Sequence, residues 1–153
     1  MELDDRRATR QGWTVRISLS LRGDYAVRTM LALGRHAVDG GNSLLPASRI
    51  AAQMAIPVGF VAHVLSDLRR AGLVAGRTGR NGGYRLTLPA DRIDLLRIVD
   101  AVEERGTLPR CVLRGGPCDA VGRCAVHDAF AGATAALRAE LAKTTLADVS
   151  GTR

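Results

Sequence analysis

The sequence predicts a mainly α-helical fold carrying one small β-hairpin, and three observations predict it. Apolar residues recur at helical spacing over long stretches: Ala26, Met30, Leu33 and Ala37 within 21–37, and Val61, Val64, Leu65 and Leu68 within 58–71. Two short extended runs, Leu73–Ala75 and Tyr84–Leu88, flank the glycine-rich segment GRTGRNGG at 76–83, the pattern of a hairpin with an open tip. A late stretch, Ala125–Lys143, carries a stripe of alternating small and large residues, Val126, Phe130, Ala133, Leu137 and Leu141.

Bulk properties narrow the function. The chain has 153 residues, enough for one domain with extra elements, and is 46% hydrophobic but only 3% aromatic, so its core is built from Leu, Val, Ala and Ile. A net charge of +7 suggests an anionic partner, with nucleic acid first among them. No apolar run reaches the roughly 18 residues that a membrane helix needs, so no membrane partner is expected. The opening MELDDRRATRQGWTV lacks the apolar centre of a signal peptide. A cytoplasmic protein follows, and there three clustered cysteines favour metal binding or redox chemistry over a disulfide.

Taken in order, residues 1–15 are polar and without period, and read as a flexible N-terminal extension to a domain spanning 16–90. The first helix covers 21–37 and is ended by VDGGN at 38–42. ASRIAAQM at 47–54 forms a short second helix with Ile50 inward. Ala55, Ile56 and Pro57 make a tight turn, and a third helix runs from Val58 to Ala71 until Gly72 stops it. The third helix presents Gly59, Ala62, His63, Ser66, Arg69 and Arg70 on the side away from its apolar stripe. Two short helices about a tight turn, followed by a hairpin, make a winged helix-turn-helix. Pro89 ends the second strand. A linking helix over Ile93–Glu104, in the span 91–109, buries Leu95, Ile98, Val99 and Val102, with Asp94 as its cap. Gly106 and Pro109 open a cysteine loop at 110–127, and 125–150 holds a dimerisation helix and the C-terminal segment, since the stripe from Val126 to Leu141 comes after the core is already supplied.

The charge is local to this motif. Arg69, Arg70, Arg77, Arg80, Arg85 and Arg92 lie between Phe60 and Arg92, against Asp67 and Asp91. Arginines beside wing-tip glycines suit phosphate contact or minor-groove insertion, and His63 and Ser66 would meet base edges in the major groove. The candidate DNA contacts are Arg16, Ser48, Gly59, Phe60, His63, Ser66, Arg69, Arg70, Arg77, Arg80 and Asn81. The glycine run is no nucleotide loop, because it lacks the Gly-Lys-Ser/Thr ending and joins two strands.

All three cysteines fall in Cys111–His127, CVLRGGPCDAVGRCAVH, with the spacing C-x6-C-x5-C-x2-H. Thiolates are soft ligands for zinc or iron–sulfur clusters. Cys124 and His127 are three apart at the expected start of the last helix and would share a side. Arg110, Arg114 and Arg123 flank the thiols and would offset the negative charge of a bound cluster. The wide gaps favour a cluster over a zinc finger; structural zinc and redox-active thiols stay open as alternatives. A Cys124–His127 nucleophile pair would need an acidic orienter or an oxyanion loop, and neither is evident. An electron carrier has no use for a winged helix. The chain is expected not to be an enzyme.

Four segments carry a family resemblance: RISLSLRGDYAVRTMLAL (16–33), LRRAGLVAGRTGRNGGYRL (68–86), CVLRGGPCDAVGRCAVHDAF (111–130) and TTLADV (144–149). Over roughly residues 15–150 the chain resembles the bacterial winged-helix iron–sulfur regulators that include IscR and NsrR. The resemblance implies a homodimer that binds a double-stranded DNA operator, most simply as a repressor. It implies a 2Fe–2S or 4Fe–4S cluster that reports iron–sulfur status, nitric oxide or redox state. Cys111, Cys118 and Cys124 would be cluster ligands; the fourth would be His127, as in IscR-like members, or Asp24 of the partner subunit, as in NsrR-like ones. Three departures stand out: the x6 gap is wider than usual, Thr78 rather than arginine precedes Gly79, and Ala62 occupies the place of an acidic base reader. The operator sequence therefore does not carry over.

Overall fold

The structure, a computed structural model, describes residues 18–40, 43–103, 113 and 122–151. Residues 1–15, Arg16, Cys111 and Cys118 lie outside them. The elements in order are α1 (Leu21–Gly40), α2 (Ala47–Met54), α3 (Val58–Arg70), β1 (Val74–Arg77), β2 (Gly83–Leu86), a 3-10 turn (Ala90–Arg92), α4 (Leu95–Val102), α5 (His127–Lys143) and α6 (Leu146–Ser150).

Helix α1 is the hub on which α2, α3, α4 and α6 all pack. Ser20 starts it, its hydroxyl oxygen accepting from the Gly23 amide at 3.0 Å. Ala26, Met30 and Leu33 are buried as their spacing requires. The helix overruns its expected end at Ala37 and continues to Gly40. Val38 is 78% exposed there, so the last turn is carried by backbone hydrogen bonding without core packing.

Helix α2 has the expected bounds and meets α3 at a bend of 115°, within the range for a helix-turn-helix. Ala55 makes the corner in the left-handed region (φ 52°), and its amide returns to the Ala51 carbonyl. Ile56 is buried beneath the corner, and Pro57 leads into α3 with its fixed φ. Val61, Val64, Leu65 and Leu68 form the inner face of α3. Gly72 takes φ +75° to turn the chain out of the helix, where Leu73 donates to the Leu68 carbonyl at 2.9 Å.

That use of Leu73 corrects the expected strand bounds. Leu73 is buried as part of the exit from α3, so β1 begins one residue later and runs to Arg77; β2 ends at Leu86, before Leu88, which is 37% exposed. The strands pair antiparallel, with Val74 opposite Leu86 and Arg77 opposite Gly83. Leu45 adds a bridge to Tyr84 with two 2.9 Å backbone bonds, tying the segment before α2 to the wing. A side chain at Gly83 would lie 2.8 Å from the Leu45 backbone, so only glycine permits this approach.

Helix α4 is shorter than the expected 93–104. Asp94 caps it as read, accepting from the Arg97 amide at 2.9 Å, and this leaves Ile93 extended and buried outside the helix. The Ile93 carbonyl accepts from Leu146 at 2.7 Å, and Leu95 donates to the Thr144 carbonyl at 2.9 Å. The C-terminal segment is thereby stitched to the head of α4. Helix α6 follows behind a capping box in which Thr145 and Asp148 satisfy each other's amides. Its Leu146 is fully buried in the same core as Ile93, Ile98 and Val102. Among the described residues, no single helix is long and apolar enough to cross a membrane.

Candidate nucleic-acid interface and thiol site

The outer face of α3 follows from its inner one. Because Val61, Val64, Leu65 and Leu68 face the core, Gly59, Phe60, Ala62, His63, Ser66, Arg69 and Arg70 all face outward and are exposed, as is Ser48 on α2. At the wing, Arg77 donates to the Asn81 carbonyl at 3.1 Å, and Gly79, at φ +107°, receives a 2.9 Å bond from Gly82. Arg80 and Asn81 are exposed at the tip. An open groove of about 530 Å³ runs beside the wing, lined by Ser43, Leu44, Gly76, Arg77 and Arg85 among others.

Three side chains are placed otherwise than the pattern implied. Asp67, counted among the negative charges of the DNA-reading stretch, is 4% exposed and turned toward α1. There it accepts from the Arg22 Nε at 3.0 Å and from a second Arg22 nitrogen. Arg70 is drawn toward the same carboxylate at 3.3 Å, so its charge is shared with the protein. Phe60 is half-exposed, its ring tilted against Tyr25 at 5.6 Å, which makes it part of the α1–α3 contact as well as of the outer face.

At the thiol site, the described donors are Cys124 and His127. Helix α5 begins at His127, two residues later than expected, so Cys124 lies in the turn before the helix and not on its face. Gly122 at φ +85° leads into this turn, and the His127 amide donates to the Cys124 carbonyl at 3.0 Å. Cys124 and His127 are both half-buried. A soft sulfur and a borderline imidazole donor on one tight turn fit the chemistry of an iron–sulfur cluster or of zinc. Among the described residues, no three His, Cys, Asp or Glu side chains gather as a metal site. The alternative ligand Asp24 pairs with Arg28 at 2.7 Å; Arg28 in turn lies 5.9 Å from the Tyr25 ring centre and donates to the Met54 carbonyl at 3.4 Å.

Helix α5 buries none of its residues. Phe130 and Ala133 are exposed, Val126, Leu137 and Leu141 half-buried. It leans on α4, where Arg138 grips Asp100 through two bonds of 2.9 and 2.8 Å that raise the pKa of the guanidinium. Sequence reasoning did not find the Arg22–Asp67 pair or a 2.5 Å hydrogen bond from the Ser20 hydroxyl to Glu103. The one available signal for Asp67 was its place between Val64 and Leu68, at the edge of the apolar stripe.

The model of the Rrf2 family, described as an iron-dependent transcriptional regulator, matches residues 19–152. The transcriptional regulator IscR of Aliivibrio salmonicida is 35% identical over 111 residues, which are 72% of this chain and 64% of that relative, so the chain spans less than two thirds of its length. IscR of Yersinia pseudotuberculosis is 31% identical over 131 residues, 86% of this chain and 77% of the relative. Among solved structures, CymR of B. subtilis, a global cysteine regulator, superposes with a TM-score of 0.71 at 25% identity, covering 90% of this chain and 99% of its own. IscR of T. potens gives 0.68 at 23% identity, covering 86% and 85%, a likeness of fold. These relatives are named as regulators and not as enzymes. The chain belongs to the Rrf2 family of winged-helix transcriptional regulators.

Proposed function

We propose that the protein binds a double-stranded DNA operator as a cytoplasmic homodimer, most simply to repress transcription, and that its thiol site senses iron–sulfur status, nitric oxide or redox state. The observation that carries the DNA reading is the division of α3. Its inner face is fully buried, its outer face offers His63, Ser66 and Arg69, and the wing beside it carries Arg77 and Arg80. Arginine forks suit phosphates and guanine edges, while a helix of this width fits a major groove.

Sensing rests on the thiols. Cys111, Cys118, Cys124 and His127 would hold a 2Fe–2S or 4Fe–4S cluster, with Asp24 of the partner subunit as the competing fourth ligand. The cluster would supply a redox- and nitric-oxide-reactive centre. The protein's part is mechanical: the loop precedes α5 and follows α4 in the chain, so a group bound there would bias how α5 and the winged helix sit. DNA affinity then shifts only as far as the two states differ in their contacts. Arg110, Arg114 and Arg123, which flank the thiols in sequence, would balance a negative centre.

The test is duplex binding by anaerobically purified protein before and after nitric oxide or oxidant. A change in affinity is expected; equal affinity in all states removes the sensing function. Cys118→Ala should abolish visible absorbance. A second reading, a regulator holding zinc or redox-active thiols without a cluster, is supported by the same pair of donors, since the sulfur of Cys124 and the imidazole of His127 on one turn suit zinc as well. Colourless protein containing zinc or no metal would favour it; coloured protein with iron and sulfide would favour the cluster.

A further inference from the structure

We propose that a polar seam running from Glu103 through Ser20 and Arg22 to Asp67 positions the recognition helix α3 relative to the start of the cysteine stretch. This rests on the DNA-reading function proposed above. Glu103 is the last described residue before the segment that leads to Cys111. Its carboxylate accepts from the Ser20 hydroxyl at 2.5 Å, and the same Ser20 oxygen caps α1 by accepting from Gly23 at 3.0 Å. A methyl group at Gly23 would lie 2.9 Å from the Glu103 carboxylate, which would have to swing aside to make room. Two residues after Ser20, Arg22 reaches Asp67 on α3 with two nitrogens.

Asp67 is almost wholly buried, whereas Arg22 is half exposed. A carboxylate withdrawn from water is held in one geometry by its partners, because losing Arg22 leaves this buried charge only the longer 3.3 Å contact to Arg70. Arg22, Asp67 and Glu103 all face one open groove of about 470 Å³, where α1, α3 and α4 meet. The apolar contacts among these helices fix their distance. The seam fixes a direction: if the end of α4 shifts, Ser20 and the first turn of α1 move with it, and Arg22 pulls on α3 at Asp67, one residue from the outward-facing Ser66. Charge-assisted bonds, here two Arg22 nitrogens on one Asp67 oxygen, transmit such a displacement better than sliding methyl groups do.

The sign of the effect separates this from plain electrostatics. Glu103→Ala and Asp67→Asn each remove a negative charge from a DNA-binding protein, and charge alone would tighten duplex binding. The seam predicts the opposite: each substitution weakens binding to a labelled duplex, selected from random sequence by the wild-type protein, by about three- to tenfold. The double variant should be no weaker than the weaker single variant, because both cut one path. Amide exchange across Val58–Arg70 should quicken in Glu103→Ala with the melting temperature nearly unchanged.

Tighter or unchanged binding by Glu103→Ala, or fully additive losses in the double variant, overturns the proposal. If Asp67→Asn fails to fold, Glu103→Ala alone decides, since Glu103 lies outside the cluster of buried core side chains. A wild-type chain that binds no duplex overturns the function itself and the seam's role with it. Wild-type binding with an indifferent Glu103→Ala removes the seam only.

Discussion

Arg77 and His63 occupy different places, and each should fail in its own way. Arg77 is anchored to the Asn81 carbonyl at the wing, and the proposed DNA reading gives it a phosphate contact. Arg77→Ala should weaken binding to all duplexes alike and reduce the salt slope of log K by about one, as measured by fluorescence anisotropy across a salt series. His63 stands exposed at the middle of α3. His63→Ala should instead relax discrimination at one base-pair position, by about 1–3 kcal/mol, in a competition against single-base variants. The thiol site offers a second contrast. His127 shares a turn with Cys124, while the Asp24 carboxylate is already engaged by Arg28. In anaerobic protein, His127→Ala should therefore shift the visible spectrum, and Asp24→Ala should leave it unchanged; the reverse result would assign the fourth place to Asp24. What the sequence revealed at this scale depended on periodicity. Residues of the outer face of α3 could be counted off against the apolar stripe. The inward turn of Asp67 could not, because nothing in a helical period announces a partner on another helix.

Among the elements, α2 and α3 were legible almost to the residue, since prolines precede both and Gly72 ends the second. Strand bounds were displaced because the exit from α3 consumes Leu73, a tertiary use that extended-run patterns do not encode. Helix α4 was legible through its cap. Asp94→Ala should destabilise the fold by about 1 kcal/mol in a denaturant titration, by losing the bond to the Arg97 amide. Helix α6 escaped notice for a physical reason: five residues are too few to show a period, and what holds them is the Thr145–Asp148 box and the single buried Leu146. That box makes a pH prediction. Hydrogen bonds from Thr145 hold the Asp148 carboxyl below its ordinary range. A depressed folded value means the contribution is complete at neutral pH and is lost as pH falls through the ordinary aspartate range and then through the lowered value. Thr145→Ala should remove part of this acid-side loss, so the melting temperatures of wild type and variant should converge as pH drops from 5 to about 2.

At the scale of the whole molecule, the core closes without α5. The cluster of buried side chains runs from Ala26 through α2, α3 and α4 to Leu146, and no residue of α5 belongs to it. Yet α5 is 17 residues long, rich in alanine and held at a fixed attitude by Arg138 on Asp100. Alanine favours the helix intrinsically, but a helix with so little burial gains little from tertiary packing on its own chain. Phe130, 43% exposed, sits at the end of α5 furthest from Leu137 and Leu141, which lean inward. A second copy related by a two-fold axis would cover Phe130 and use Ala133 for close approach, and a two-fold dimer would set two α3 helices for successive turns of a palindromic operator. Sedimentation equilibrium should accordingly give twice the chain mass of 16.2 kDa. Phe130→Glu should lower that to the single mass while circular dichroism stays unchanged, because nothing in the core depends on this side chain. Binding to a two-half-site duplex should then fall to the level of a single half-site, which stays as in the wild type. If Phe130→Glu remains dimeric, α5 packs against its own chain and the pairing of the two recognition helices must be built elsewhere.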